Sequence, residues 1–429
     1  MAINHPRENN WRTILTLTIS ILGIAFFVFQ SAILAVFWLV SFWEGEPGLS
    51  QTISLGMLLW SSILAGLLLV PILFLSVARL RGRPVPNWLD LKQFKIKRVV
   101  LLVLICWPVL VLIGWLIAGR PIVAAFLLGP INVIVAGIPV LWIYYFSQRK
   151  LSGGPVLQKW QLFGFSLTVM PLMVIVMEII AVLVLGGMAL GWLGYRMTVD
   201  PMIERELIYI GNQLMIRGDD PQAILQFLEP YLLQPAVIVW GLAMVAGVIP
   251  LIEEILKPAA LWFFAGREIS EQEGFVGGLI CGAGFALLEN VLFFTTALTQ
   301  EDWVFMAVSR ASTGVLHMLA SGLVGWGLVR AWKNRQWLSL VGMTLGAFLL
   351  HGIWNALAVV PGFGPLLFDG WEESAWQTLL LYAPLLSLLA LSIVGLYLIN
   401  RYLRPKAGQS RDGLSYFDTR GSSSLVDES

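Results

Sequence analysis

The chain has 429 residues and a net charge of +1; 58% of the residues are hydrophobic and only 12% are charged, and the mean hydropathy is +0.81. A soluble domain carries roughly twice that share of charge, so a water-soluble enzyme or binding module is excluded. What remains is a polytopic membrane protein, because runs of about 20 apolar residues recur from one end to the other.

In chain order the apolar spans lie at 14–42, 55–77, 99–118, 122–146, 162–192, 237–264, 275–298, 304–331, 338–360 and 376–399. They predict an all-α helical bundle with about ten transmembrane helices. The first span follows Arg7 and Arg12 but is longer than the apolar core of a signal peptide, so it reads as an uncleaved helix. The connector after the second span carries Arg79, Arg81, Arg83, Lys92, Lys95, Lys97 and Arg98. Those around Glu44 and Glu46, around Glu301 and Asp302, and from Asp369 to Glu373 carry no Lys or Arg. Lys and Arg mark the cytoplasmic side, so both termini are expected inside. That placement leaves only Arg120, Arg196, Arg205 and Arg217 outside, with Lys257 and Arg310 within spans. Trp43, Trp160, Trp303, Trp332, Trp337, Trp371 and Trp376 sit at span ends, as interfacial anchors do. Cys106 and Cys281 fall in different spans, which supports neither a disulfide framework nor a thiolate metal site.

Midspan ionisable residues divide the chain unevenly. The first five spans hold only Glu178, whereas spans six to nine hold Glu253, Glu254, Lys257, Glu289, Arg310, His317 and His351. The expected organisation is therefore an N-terminal bundle (1–194), an extracytoplasmic segment (195–235), a chemistry-bearing core (236–402) and a disordered cytoplasmic tail rich in Gly, Ser and Asp (403–429). Within 195–235, Ile203, Leu207, Ile210 and Leu214 recur at helical spacing. One or two amphipathic helices are expected there, on the bilayer surface or as a lid.

Each charged group at a helix centre costs about 2.5–3.5 kcal/mol on insertion scales, so such residues mark partners, cavities or chemistry. In the sixth span, Lys257 is i+4 from Glu253 and i+3 from Glu254, close enough to offset the desolvation of either carboxylate. The two glutamates diverge by about 100° around the helix, which suggests different roles. Pro250, just upstream, is expected to kink the span. In the seventh, Gly277, Gly278, Gly282 and Gly284 precede Glu289 and Asn290 and predict close packing on a neighbour. Arg310 and His317 are i, i+7 in the eighth, His351 and Asn355 i, i+4 in the ninth, and the two histidines lie at matching depth. Glutamates and histidines in a dry cavity activate water, through a carboxylate base or through Zn²⁺ held by His and Glu. Arg310, Asn355 or His317 would then donate to an oxyanion.

The ordered set of E-E-x-x-K at Glu253, Glu254 and Lys257, F-x-x-x-E-N at Phe285, Glu289 and Asn290, the pair Arg310 and His317, and H-x-x-x-N at His351 and Asn355 resembles the PrsW-type intramembrane proteases. These belong to a superfamily with the CAAX prenyl endopeptidases. The resemblance covers roughly 236–360. It implies a protease of membrane-embedded or juxtamembrane peptide bonds in a bacterial plasma membrane, with anti-sigma factors as one associated substrate class. By that likeness Glu253 or Glu254 activates water, Glu289, His317 and His351 complete the site, and Asn355 stabilises or orients. Relatives have been described as metalloproteases and as glutamic-type proteases. No HExxH is present, and the Lys257 ammonium so close to the glutamates favours the metal-free form, with Glu289, His317 and His351 as the candidate ligand trio of the metal-dependent one. The partners expected are a membrane-protein substrate and the bilayer, with no nucleic acid. Two other classes compete. A proton- or ion-coupled transporter would also use midspan Glu, His and Arg, but no internal repeat is visible; a non-catalytic scaffold would typically have lost one of the glutamates, and all are kept.

Overall fold

A computed structural model describes residues 10–43, 49–84, 96–218, 221–367 and 375–405. The loops around Glu44 and Asp369 and the tail beyond Pro405 lie outside the described residues. The described chain is helical, without a strand. This is what hydrocarbon demands, because a helix satisfies its backbone polar groups within its own segment. Nine helical stretches among the described residues are long and apolar enough to cross a membrane, and Leu102–Ala118 is a shorter apolar one. The protein is therefore an all-α polytopic bundle.

The first four helices are α1 (Trp11–Ser41), α2 (Leu49–Leu80), α3 (Ile96–Ala118) and α4 (Pro121–Gln148). The fifth span, expected as one helix, is two: α5 (Val156–Leu167) and α6 (Val169–Val199), broken at Thr168 with φ −124° and ψ −71°. Pro171 explains the break, since it has no N–H for the Leu167 carbonyl and its ring crowds that carbonyl. Two short helices follow, α7 (Pro201–Ile216) and α8 (Pro221–Leu232). The first starts at Asp200, whose side chain accepts from the Met202 N–H.

The sixth span departs furthest from a regular helix. It runs as α9 (Pro235–Leu242), a π-turn (Ala243–Val248), α10 (Ile249–Leu256) and a 3₁₀ stretch (Lys257–Phe264). In the π register the Ile249 N–H reaches back to the Met244 carbonyl, and the next donor in line for Val245 would be Pro250, which has none. Asn355 Nδ2 fills the vacancy, donating to the Val245 carbonyl at 3.0 Å. The expected proline kink is thus spread over a wide turn before the glutamates and a tight one after them.

The remaining helices are α11 (Glu271–Phe293), α12 (Gln300–Asn334), α13 (Trp337–Leu367) and α14 (Ala375–Leu403). A capping box between Ser270 and Glu273 starts α11, and the Thr299 side chain caps α12. In their most apolar windows 83% of α11 and 89% of α12 is buried, against 11% of α1, so these two form the centre of the bundle. Their contact is backbone on backbone. A Cβ added at Gly274, Gly278 or Gly282 would meet the carbonyls of Gly325, Ser321 and His317 in turn. Gly277 and Gly284 face the other way, toward Leu261 and Ser166. One apolar core joins Leu162 and Phe165 of α5 to Leu261, Phe275, Leu279 and Met318, so the N-terminal helices pack directly on the second half.

Replacing Gly282 by Ala is expected to push α11 off α12 and cost about 1–3 kcal/mol. Gly342→Ala, where nothing lies within 4 Å, should leave stability unchanged or raise it. Thermal melts of the two variants in detergent check the contrast.

Candidate active site

Four helical segments bring the midspan polar residues together. The turn following the π segment places Glu253 and Glu254 at the end of α10 and Lys257 at the first position of the 3₁₀ stretch, all three buried. The wholly buried Lys257 ammonium forms ion pairs with both glutamates, closely with Glu253 and at 3.1 Å with Glu254 Oε1. It also lies 2.8 Å from His317 Nδ1 on α12 and 4.2 Å from the Phe285 ring centre. From α13, His351 Nδ1 approaches Glu254 Oε1 at 2.8 Å and Glu253 Oε2 at 3.9 Å. The imidazoles of His317 and His351 stand edge to face with centroids 5.0 Å apart. The 100° divergence of adjacent residues does not keep the glutamates apart, because the long side chain of Lys257 reaches between them.

The network continues through α11. His317 Nε2 is 2.7 Å from Glu289 Oε2, and Arg310 Nη2 is 2.7 Å from the same oxygen. Arg310 Nε donates to Asn290 Oδ1 at 2.9 Å, and the guanidinium lies 4.4 Å from the Phe293 ring centre. An ammonium only donates, so His317 Nδ1 must accept and Nε2 must carry the proton given to Glu289. His351 Nδ1 donates to Glu254.

A cavity of about 830 Å³ opens beside this network. Glu253, Glu289, Arg310, His351 and Asn355 line it, within a mainly apolar wall; Glu254 and His317 do not. The sequence pattern identified these residues but could not tell which face the cavity. The three donors suggested for an oxyanion are all engaged by the protein itself: Asn355 by Val245, His317 by Lys257 and Glu289, Arg310 by Glu289 and Asn290. Arg310 still faces the cavity. Glu178, which stands alone in its span as a packing or proton-relay residue, also lines this cavity.

Residues 220–389 match the family described as PrsW family intramembrane metalloprotease. Over this stretch the chain is similar to the PrsW-type proteases. No curated protein and no solved structure matches the chain. The PrsW match begins near the start of α8 and leaves α1 to α7 outside. The match supports an intramembrane peptidase activity for this part of the chain, and the nine apolar helices among the described residues mark an integral membrane protein.

The donor chemistry fits a divalent cation. Ligand atoms of Glu253, Glu254, His317 and His351, all buried, lie within 4.8 Å of one another, and Glu254 Oε2 is buried without a hydrogen-bond partner among the described residues. Glu289, grouped with the two histidines by the sequence pattern, is not part of this set; it is held on the other ring nitrogen of His317 by Arg310. A cation bound among the four donors would compete with the Lys257 ammonium for three of them.

Removing the ammonium with Lys257→Met strands two buried carboxylates and is expected to cost about 3–5 kcal/mol. Adding Glu254→Gln to that variant should recover part of the loss. Chemical or thermal unfolding of the single and double variants measures it.

Proposed function

We propose that this protein hydrolyses peptide bonds of membrane proteins within or beside the bilayer, in the cavity between α6, α10, α11, α12, α13 and α14. The observation that carries this reading is that Glu253 and His351 line an apolar cavity while Lys257, Glu254 and His317 hold them from behind. Glu253 is the carboxylate of the pair placed to take a proton from water. Lys257 fixes its orientation, and His317 links the ammonium to Glu289 on the cavity wall. Arg310, on the same wall, is the cation nearest to a developing oxyanion. The apolar lining excludes bulk water and accepts an unwound stretch of a transmembrane substrate.

Four donors exceed by one the three that a catalytic zinc takes from the protein. Glu254, His317 and His351 would hold the ion, leaving Glu253 for the proton. Bound there, the metal supplies a more acidic water and a polarised carbonyl. The enzyme sits in a bacterial plasma membrane with both termini in the cytoplasm, and anti-sigma-factor-like membrane proteins are the substrate class.

Two measurements test this. N-termini of membrane proteins are compared in cells expressing wild type, Glu253→Gln or His351→Ala at equal levels. New termini in or beside transmembrane segments should appear with wild type only; identical profiles from properly inserted proteins would overturn the protease reading. Separately, chelation should remove activity and zinc restore it. Cleavage indifferent to chelator would instead leave Glu253 acting beside Lys257 without a metal.

A further inference from the structure

A second cavity, of about 740 Å³, lies between α3, α4, α12 and α14. Its wall is mainly apolar, and its rim faces outward: Phe146, Ile393, Val394 and Tyr397 line it and are exposed. At one end the character changes. Ser147 and Arg149, where α4 closes, and Asn400 and Arg404, where α14 closes, line that end, and no carboxylate among the described residues lines the cavity anywhere. Asn400, only 3% exposed, builds this end. Its Nδ2 donates to the carbonyls of Ser147 and Arg149 at 2.8 and 2.9 Å, covering acceptors that a helix C-terminus leaves open and that would repel an anion. Its Oδ1 accepts from Nε and Nη2 of Arg404 at 3.1 and 2.6 Å. A guanidinium carries five N–H donors in a fixed fork, so Asn400 holds this one in place while leaving donors to spare. Neither Arg149 nor Arg404 is paired with a carboxylate among the described residues.

We propose that this groove binds an anionic phospholipid of the bilayer, with the phosphate on Arg149 and Arg404 and an acyl chain along the apolar part. The length fits. From Leu389 to Arg404, both on the wall, a helix rises about 22 Å at 1.5 Å per residue, which is half of a bilayer of about 40–45 Å with its headgroups. The position fits as well. Arg149, Lys150, Arg401 and Arg404 gather where α4 and α14 end, and basic side chains at span ends lie in the headgroup layer, where anionic lipids collect. The charge decides the headgroup: guanidinium forks match phosphate oxygens, and the lining holds nothing acidic to oppose them. A free phosphate would occupy the arginine end and leave the apolar length to water, which costs free energy that a hydrocarbon chain recovers. At its apolar end the groove reaches Ser312 and Leu389, which also line the larger cavity beside Glu253. A bound acyl chain therefore lies against a wall of that cavity. Lipid binding here is independent of whether the protein cleaves peptides.

The test uses the full-length protein, stripped of lipid in detergent and titrated with phosphatidylglycerol or with phosphatidylcholine of the same acyl chains, bound lipid being counted by native mass spectrometry. Wild type is expected to prefer phosphatidylglycerol roughly 10- to 30-fold, the size of effect that two basic side chains have at a lipid surface. The double variant Arg149→Ala with Arg404→Ala is expected to lose that preference. Arg81→Ala with Arg83→Ala removes the same charge from residues that do not line the groove and should keep it. Equal affinity of wild type for the two lipids, or an equal loss in the Arg81 and Arg83 variant, overturns the proposal. Displacement of the lipid by water-soluble glycerol phosphate would mark a site for phosphate alone and overturn the lipid as occupant. A second measurement needs no variant. Phosphatidylglycerol with a photoreactive acyl chain, in vesicles holding the wild type, should label residues 389–397 of α14 in preference to the other outward-facing helices. Label spread evenly over those helices overturns the groove as the binding site.

Discussion

One buried ammonium organises the polar centre of this protein. Lys257 is wholly buried in an apolar bundle, and it persists because Glu253, Glu254 and His317 surround it and Phe285 presents its ring face. Those partners sit on three different helices. The ammonium therefore ties α10, α11 and α12 to one point, and His351 brings in α13 through Glu254. Removing it would leave buried charge of one sign, so the arrangement is stable only as a whole.

The backbone around that point is irregular for a physical reason. Pro250 and Pro258 flank the glutamates and deny two helical hydrogen bonds. The π-turn and the 3₁₀ stretch absorb the missing bonds, and Asn355 repays one orphaned carbonyl from across the bundle. Irregular backbone at membrane depth survives where it borders protein or a cavity, and here it does both. The outcome is a short α10 that presents two adjacent carboxylates to one lysine, with only Glu253 on the cavity wall.

Close approach of α11 and α12 does the rest. With no hydrophobic drive between helices in lipid, small residues and polar contacts decide which helices meet. Gly274, Gly278 and Gly282 let α11 settle against the carbonyls of α12, which carries His317 to Lys257 on one side and Glu289 on the other. Apolar packing of α5 and α6 on the second half makes the N-terminal helices part of the same body.

Much was legible from the order of residues alone. Hydropathy marks the spans because length and apolarity suffice for crossing a bilayer, and the spacing of Glu253, Glu254 and Lys257 brings charges within reach on any helical backbone. Equal depth of His317 and His351 is likewise a matter of counting. What the sequence could not reveal is whatever depends on neighbours distant in the chain. Spacing paired Glu289 with the histidines as ligands, whereas packing set it against Arg310 and drew Glu253 and Glu254 into the convergent cluster. Asn355 read as a donor to substrate, yet a proline more than a hundred residues earlier created the carbonyl it serves. Glu178 stood alone in its span; the packing of α6 on α10 brought it to the wall of the cavity that Glu253 also lines. Local periodicity determines which residues share a face, and tertiary packing alone determines what that face meets.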